Sequence, residues 1–431
     1  MSAPADLLAI GAGPAGLTAA LAFKRRNPAA RVVVADRMGG PGAKLAVTGG
    51  GRGNLSRDIH LDDLVRAFAP SDRFVAPAIR AFPPTALRAF FRGIDVPTVV
   101  EPGGGIYPAS QSAPAVRDAL AAAARRAGVE FRMGAAVCRL EPPDSIDSIE
   151  KTDSIDSSSW RAYFASSPSP LAARRVLLAA GGQSAPALGS DGSGFALARA
   201  LGHRIVAPVP GLAPVLVDDA PWIPALAGVS LPDAALRLAM PQRLLRESRG
   251  PLLFTHRGLS GPAALDISAA LSRALAHNDP FTLYLAVLPA PRDKFRTLLD
   301  TLRRTDGARP LRRAFAPPLP QRLADAMLSL AGVPPDTPAA RLSAPAADRL
   351  ATALCALSLN VTHTATFAES MVTSGGVYLP EVHPKTLASR LHPTLSFAGE
   401  ILDVAGPTGG YNLHWAFASA HLAATAAAAR P

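Results

Sequence analysis

The chain has 431 residues, 48% hydrophobic and 18% charged, which points to a globular protein of two or three domains and excludes disordered and fibrous classes. No apolar run is long enough to span a bilayer and the first residues do not read as a signal peptide, so a soluble, cytoplasmic protein is expected. The formal net charge of +11 rests mostly on scattered Arg, with short pairs such as Arg174–Arg175 and Arg312–Arg313, and reads as dispersed solvated charge, not a nucleic-acid footprint.

The first stretch, 6–17, reads DLLAIGAGPAGL. A short uncharged apolar strand runs into Gly11, Ala12, Gly13, Pro14, Ala15 and Gly16, the G-x-G-x-x-G spacing, and then into an Ala- and Leu-rich helix over 14–27. Gly11 permits the turn, Gly13 lets backbone approach a pyrophosphate, and Gly16 lets the helix pack close to the sheet. The helix amides then face phosphates. A second strand, RVVVA at 31–35, ends at Asp36, twenty residues after Gly16, where a carboxylate can accept hydrogen bonds from an adenosine ribose.

Residues 37–54, RMGGPGAKLAVTGGGRGN, hold too many glycines for a regular element and predict backbone wrapped around a ligand, with Lys44, Arg52 and Asn54 as polar handles. A helix is expected over 113–128 and strand residues over 129–140. The repeated Asp-Ser-Ile-Asp unit within 142–159 reads as a disordered, functionless expansion of a hairpin tip. Strand character returns at 160–164 and at 175–180, where RRVLLAAGG ends at Gly182.

From 201 to 373 short β-rich runs (214–217, 252–255, 282–288) alternate with proline turns, and 292–357 is mostly helical with breaks at 317–320 and 334–338. The first pattern resumes with LSFA at 395–398, then Gly399, Glu400 and Asp403, then Gly409 and Gly410 before a long Ala-rich helix. The expected division is a discontinuous α/β, Rossmann-type nucleotide domain over 1–200 and 374–431 with a strand-rich insert over 201–373. Cys138 and Cys355 stand alone and read as buried reduced thiols, arguing against a redox-active disulfide; no His/Cys cluster has metal-ligand spacing.

The segments GAGPAGL, GAKLAVTGGGRGNLS, RVLLAAGGQSAPALGSDGSG, LLFTHRGLSGP, VTSGGV and FAGEILDVAGPTGGYNLHWAFASAHLAA, in order along nearly the whole chain, resemble the YhiN/BaiN-like flavoproteins, NAD(P)/FAD-dependent oxidoreductases of the aminoacetone-oxidase-like group. The resemblance implies bound FAD, a Rossmann-type domain and an inserted β-barrel-like region with a helical subdomain. In one place the chain departs from it: Gly53 stands where the family loop carries Cys.

By that resemblance Gly11, Gly13 and Gly16 hold the pyrophosphate, Asp36 the adenosine ribose, and Arg37 flanks the adenine. Lys44, Gly50, Gly51, Arg52 and Asn54 line the loop near the flavin. Val137, Ala180 and Gly181 close the adenine side. Gly399, Glu400 and Asp403 serve the ribityl and nearby phosphate, and Gly410, Tyr411, Asn412 and Leu413 start the last helix beside the ring. A helix N-terminus there favours a reduced anion by about 0.3–2 kcal/mol. Gly410→Val is therefore expected mainly to alter flavin reactivity. His256 is the candidate proton donor, ahead of Tyr107, His363 and His414.

No second G-x-G-x-x-G unit is present, so a nicotinamide is expected to dock transiently between domains, or another donor to reduce the flavin. The resulting reading is an FAD-dependent oxidoreductase acting on a small-molecule substrate. An oxygen-using amine oxidase or monooxygenase is the alternative within the class. An FAD-dependent RNA-modifying or RNA-binding protein is the alternative outside it.

Overall fold

The computed structural model describes residues 3–143, 159–315 and 319–429. The repeat at 144–158 and the proline break at 316–318 lie outside the described residues. By its internal packing the chain divides into two compact units, Met1–Pro208 with Val372–Pro431, and Val209–Met371.

In the first unit a five-stranded parallel sheet runs in the order Leu395–Phe397, Val176–Leu178, Leu7–Ile10, Val32–Ala35, Glu130–Arg132. The four strands Leu7–Ile10, Val32–Ala35, Val176–Leu178 and Leu395–Phe397 are buried throughout, as expected for parallel strands covered on both faces. Leu8 pairs with Val33 on one side and Val176 on the other, so the first strand sits at the centre. The helices Pro14–Arg26 and Tyr411–Ala428 pack together, and their many Ala residues allow the close approach. Helix Tyr411–Ala428 also packs on helix Asp72–Ala81, and its Trp415 and Phe417 meet Phe74 and Phe91.

Strands Val137–Glu141 and Trp160–Phe164 pair antiparallel and are extended by Ser167–Ala173. Cys138 lies on an outward-facing position of the first of these and is exposed, which corrects the expectation of two buried thiols; Cys355 is buried, and both are free.

The second unit has its own core and a six-stranded antiparallel sheet, ordered Val215–Leu216, Gly258–Ser260, Arg243–Phe254, Ser230–Met240, Thr282–Ala286, Leu357–Leu359. Helices Arg292–Thr305, Leu311–Ala314, Gln321–Leu330 and Ala344–Cys355 follow the expected helical stretch, and the last is capped by the Ser343 hydroxyl, which accepts from the Ala346 amide at 3.4 Å. Among the described residues no helix is long and apolar enough to cross a membrane.

Candidate functional site

Four of the five parallel strands end in segments that carry predicted site residues, so these residues gather at the carboxyl edge of one sheet, where ligands of open α/β sheets bind. At the central strand each glycine has its own physical reason. Gly11 has φ +107°, and a Cβ there would lie 2.3 Å from the Ala179 carbonyl oxygen. A Cβ on Gly16 would lie 1.8 Å from the Gly11 carbonyl oxygen, so only glycine lets the helix sit this close. A Cβ on Gly13 would meet nothing within 4 Å, leaving its backbone open to a ligand. Pro14 opens the helix, where a missing N–H costs nothing, and Ala15 and Gly16 bring the first amides.

Asp36 does more than the spacing suggested. One carboxylate oxygen accepts from the Ala12 amide at 2.6 Å and the other from the Met38 amide at 2.8 Å. Ala12 therefore gives its amide to the turn and has none left for a phosphate. An ionised carboxylate accepts about four bonds, so Asp36 keeps capacity for a ribose. Arg37 forms an ion pair with Asp191. Gly181 (φ +74°) follows the strand Val176–Leu178 and Ala180, and a Cβ there would lie 2.9 Å from Ser190 Oγ. Val137 opens its strand opposite Phe164.

The loop after Asp36 coils in short turns over Leu45–Gly51 that are broken by a kink at Thr48–Gly50, where Gly49 and Gly50 are left-handed. Cβ atoms on Gly50 and Gly51 would meet nothing within 4 Å. Gly53 is also left-handed at φ +76°, and its Cβ would crowd Ala113 Cα at 3.2 Å, which suits glycine at the position where the family loop has Cys. Lys44 donates to Ser184 Oγ at 2.6 Å and to Glu400 Oε2 at 2.8 Å. Glu400 Oε1 accepts from Ser184 Oγ and from the Thr373 amide, each at 2.7 Å. Burial alone would raise the Glu400 pKa; the Lys44 ammonium, Ser184 and the Thr373 amide outweigh it and hold the carboxyl below its ordinary value. Thr373 Oγ1 accepts from the Gln183 amide at 2.7 Å and the Ser184 amide at 3.0 Å. A Cβ on Gly182 would strike Thr373 Oγ1 at 2.4 Å. Ser184, Thr373 and Gly182 had no assigned role in the sequence; the GGQS run after an apolar strand signals the first and last of these, and the VTSGGV segment the other.

Gly399 donates to Ser419 Oγ at 2.9 Å and accepts from Trp415 Nε1 at 3.1 Å, which seats the last strand on the last helix. Asp403 accepts from the Gly375 amide at 3.0 Å. Gly410 caps that helix at φ +98°, and its Cβ would lie 2.6 Å from Asn54 Oδ1 and 2.8 Å from the Ser56 carbonyl oxygen. The chain's own packing therefore dictates glycine here, so Gly410→Val first damages folding, contrary to the expectation of a mainly flavin-directed effect. The Asn412 side chain is fully engaged with Gly406 and Pro407, leaving its backbone amide, with that of Leu413, at the helix start. Tyr411 packs edge-on to Phe68. Asn54 Oδ1 is buried without a hydrogen-bond partner among the described residues.

The acid–base candidates separate clearly. His414 is fully buried with Nδ1 2.7 Å from Ser56 Oγ, and burial drives its pKa down to about 4 against the pull of the Phe82 backbone, so it is a neutral core group. Arg52 stacks on Tyr107 at 4.3 Å and binds Glu101 and Gln111. His363 is exposed and paired with Thr362. His256 is exposed in the second unit, on the turn after strand Arg243–Phe254.

The open cradle at Gly13, Gly50 and Gly51, the unpartnered Asn54 oxygen and the amide-rich starts of two long helices fit FAD. The sequence profile described as the HI0933-like protein Rossmann domain matches residues 5–426. Over 427 residues the chain is 31% identical to a 3-dehydro-bile acid delta(4,6)-reductase of Clostridium scindens, covering 98% of each. Over 421 residues it is 27% identical to a ribosomal RNA dihydrouridine synthase of Escherichia coli, covering 96% of each. It shares its fold with a 3-ketosteroid-delta4-(5alpha)-dehydrogenase from Rhodococcus jostii at 16% identity and a TM-score of 0.52, covering 99% of this chain and 97% of that one. The chain belongs to the HI0933-like family and is an FAD-dependent oxidoreductase built on a Rossmann-type domain.

Proposed function

We propose that the protein reduces a C=C bond conjugated to a carbonyl in a small organic substrate, with electrons from NAD(P)H or another donor. The observation that carries this reading is full-length similarity to a relative named as a delta(4,6)-reductase. Bound FAD supplies the two-electron chemistry. The chain's share is binding and electrostatics. Asp36 and the glycine turn hold the adenosine and pyrophosphate. Lys44 is fixed and neutralised by Glu400, with Ser184 beside it, and the helix start at Asn412–Leu413 would offer positive potential to a reduced, anionic flavin. Anaerobic mixing with NADH and NADPH, followed by a panel of conjugated enones, tests the reading: bleaching by a nicotinamide and recovery of colour on adding an enone support it. Bleaching by amines alone, with recovery under oxygen, replaces it with an amine oxidase.

A second reading has the conjugated double bond in a uracil base of RNA, favoured by the relative named as a ribosomal RNA dihydrouridine synthase. RNA binding that weakens steeply with salt and depends on several Arg side chains favours this substrate over a free small molecule.

A further inference from the structure

We propose that the Arg37–Asp191 ion pair is a clasp across the adenosine half of the FAD site that sets how fast the cofactor leaves. The proposal rests on the FAD site described above, and Asp191 had no assigned role. Arg37 follows the strand Val32–Ala35, whereas Asp191 lies beyond the strand Val176–Leu178. These two strands flank Leu7–Ile10 on opposite sides, so they stand about 10 Å apart with the glycine turn between them. A bond between their trailing loops therefore passes over Gly11–Gly13. The Asp191 end is held in place. The Gly192 amide donates to the Gly182 carbonyl at 2.9 Å, tying the 190–192 turn to the strand end. Asp191 Oδ1 accepts from the Ser193 amide at 3.1 Å. A Cβ on Gly189 would lie 2.9 Å from Met38 Cγ, so the turn reaches the loop that carries Arg37.

A second observation points the same turn at a ligand. Ser190 is 5% exposed, and its hydroxyl faces Gly181 with no hydrogen-bond partner among the described residues. A buried hydroxyl is rarely left unpaired, and a ribose or phosphate oxygen on that edge would satisfy it. The pair itself is partly open, with side-chain exposures of 41% and 31%, so its contribution is modest and screened by salt.

The test is the rate of FAD release from holoenzyme, followed by the rise in flavin fluorescence after dilution. Arg37→Gln and Asp191→Asn are each expected to release FAD about two- to fivefold faster at low salt. The double variant is expected to match the faster single, and 1 M NaCl to speed release from the parent but from none of the variants. Parent-like release from the single variants, or independent effects that multiply in the double, would overturn the clasp. Thermal unfolding of the apo forms accompanies each rate, and faster release that merely follows lower apo stability also overturns it.

Discussion

Lys44 Nζ lies 2.8 Å from Glu400 Oε2, although 356 residues separate them. One comes from the loop after the second strand, the other from the turn after the last, and Ser184 from a third strand end completes the contact. Three side chains far apart in sequence thus form one charged unit at the carboxyl edge. Lys44→Ala leaves the partly buried Glu400 carboxylate without its ammonium partner, with the Ser184 and Thr373 hydrogen bonds still in place. A loss of about 1–3 kcal/mol in urea unfolding is expected, together with weaker FAD binding by equilibrium titration. Glu400→Gln keeps the shape and is expected to cost less stability than Lys44→Ala.

Asp36→Ala removes the acceptor for the Ala12 and Met38 amides as well as any ribose contact. FAD affinity should fall about ten- to a hundredfold, read by flavin fluorescence. Asp36→Asn keeps one acceptor oxygen and should fall between the two.

Gly410→Ala forces a side chain into left-handed backbone and against Asn54 and Ser56. The expected loss is about 1–3 kcal/mol of folding stability, read by thermal unfolding of the apo protein. An unchanged melting temperature would return Gly410 to a purely cofactor-directed role.

Two buried histidines and a half-buried one set the response to acid. Burial lowers the pKa values of His203, His414 and His421 from 6.5, and His414 falls to about 4. Below pH 6.5 the unfolded chain binds protons that the folded chain refuses, so the stability these groups carry is complete above pH 6.5 and is lost as pH falls. His414 alone accounts for on the order of 3 kcal/mol between pH 6.5 and 4. Glu400 acts only lower, since a depressed carboxyl loses its contribution below its ordinary pKa of 4.5. Urea unfolding at pH 7.5 and 5 should show the slope, and His414→Gln should flatten it while lowering stability at pH 7.5.

The glycine turn, Asp36 and the strands on either side were legible because their signals are local: spacing over some thirty residues and apolar runs of four or five. The return of the chain at 395 to complete the sheet was legible for the same reason. What the sequence hid is set by long-range packing. Nothing near Thr373 shows that its hydroxyl receives amides 190 residues earlier. The Arg52 contact with Glu101 spans 49 residues, and the Asn412 side chain was hidden inside its own turn. His414 stands beside a promising helix start, yet only the surrounding core reveals that it is neutral.

The discontinuity of the first unit has a consequence for biosynthesis. The strand Leu395–Phe397 and the helix Tyr411–Ala428 are translated after the strands they join in the first unit, yet they carry Gly399, Glu400 and the helix-start amides of the proposed cofactor site. The second unit, Val209–Met371, can complete its own core while these segments are still being made. With the proposed site, FAD capture waits for translation of this region. A nascent chain stalled before residue 395 would present an exposed strand edge at Val176–Leu178 and an uncovered Ala-rich helix at Pro14–Arg26, so this interval is where chaperones would be needed most.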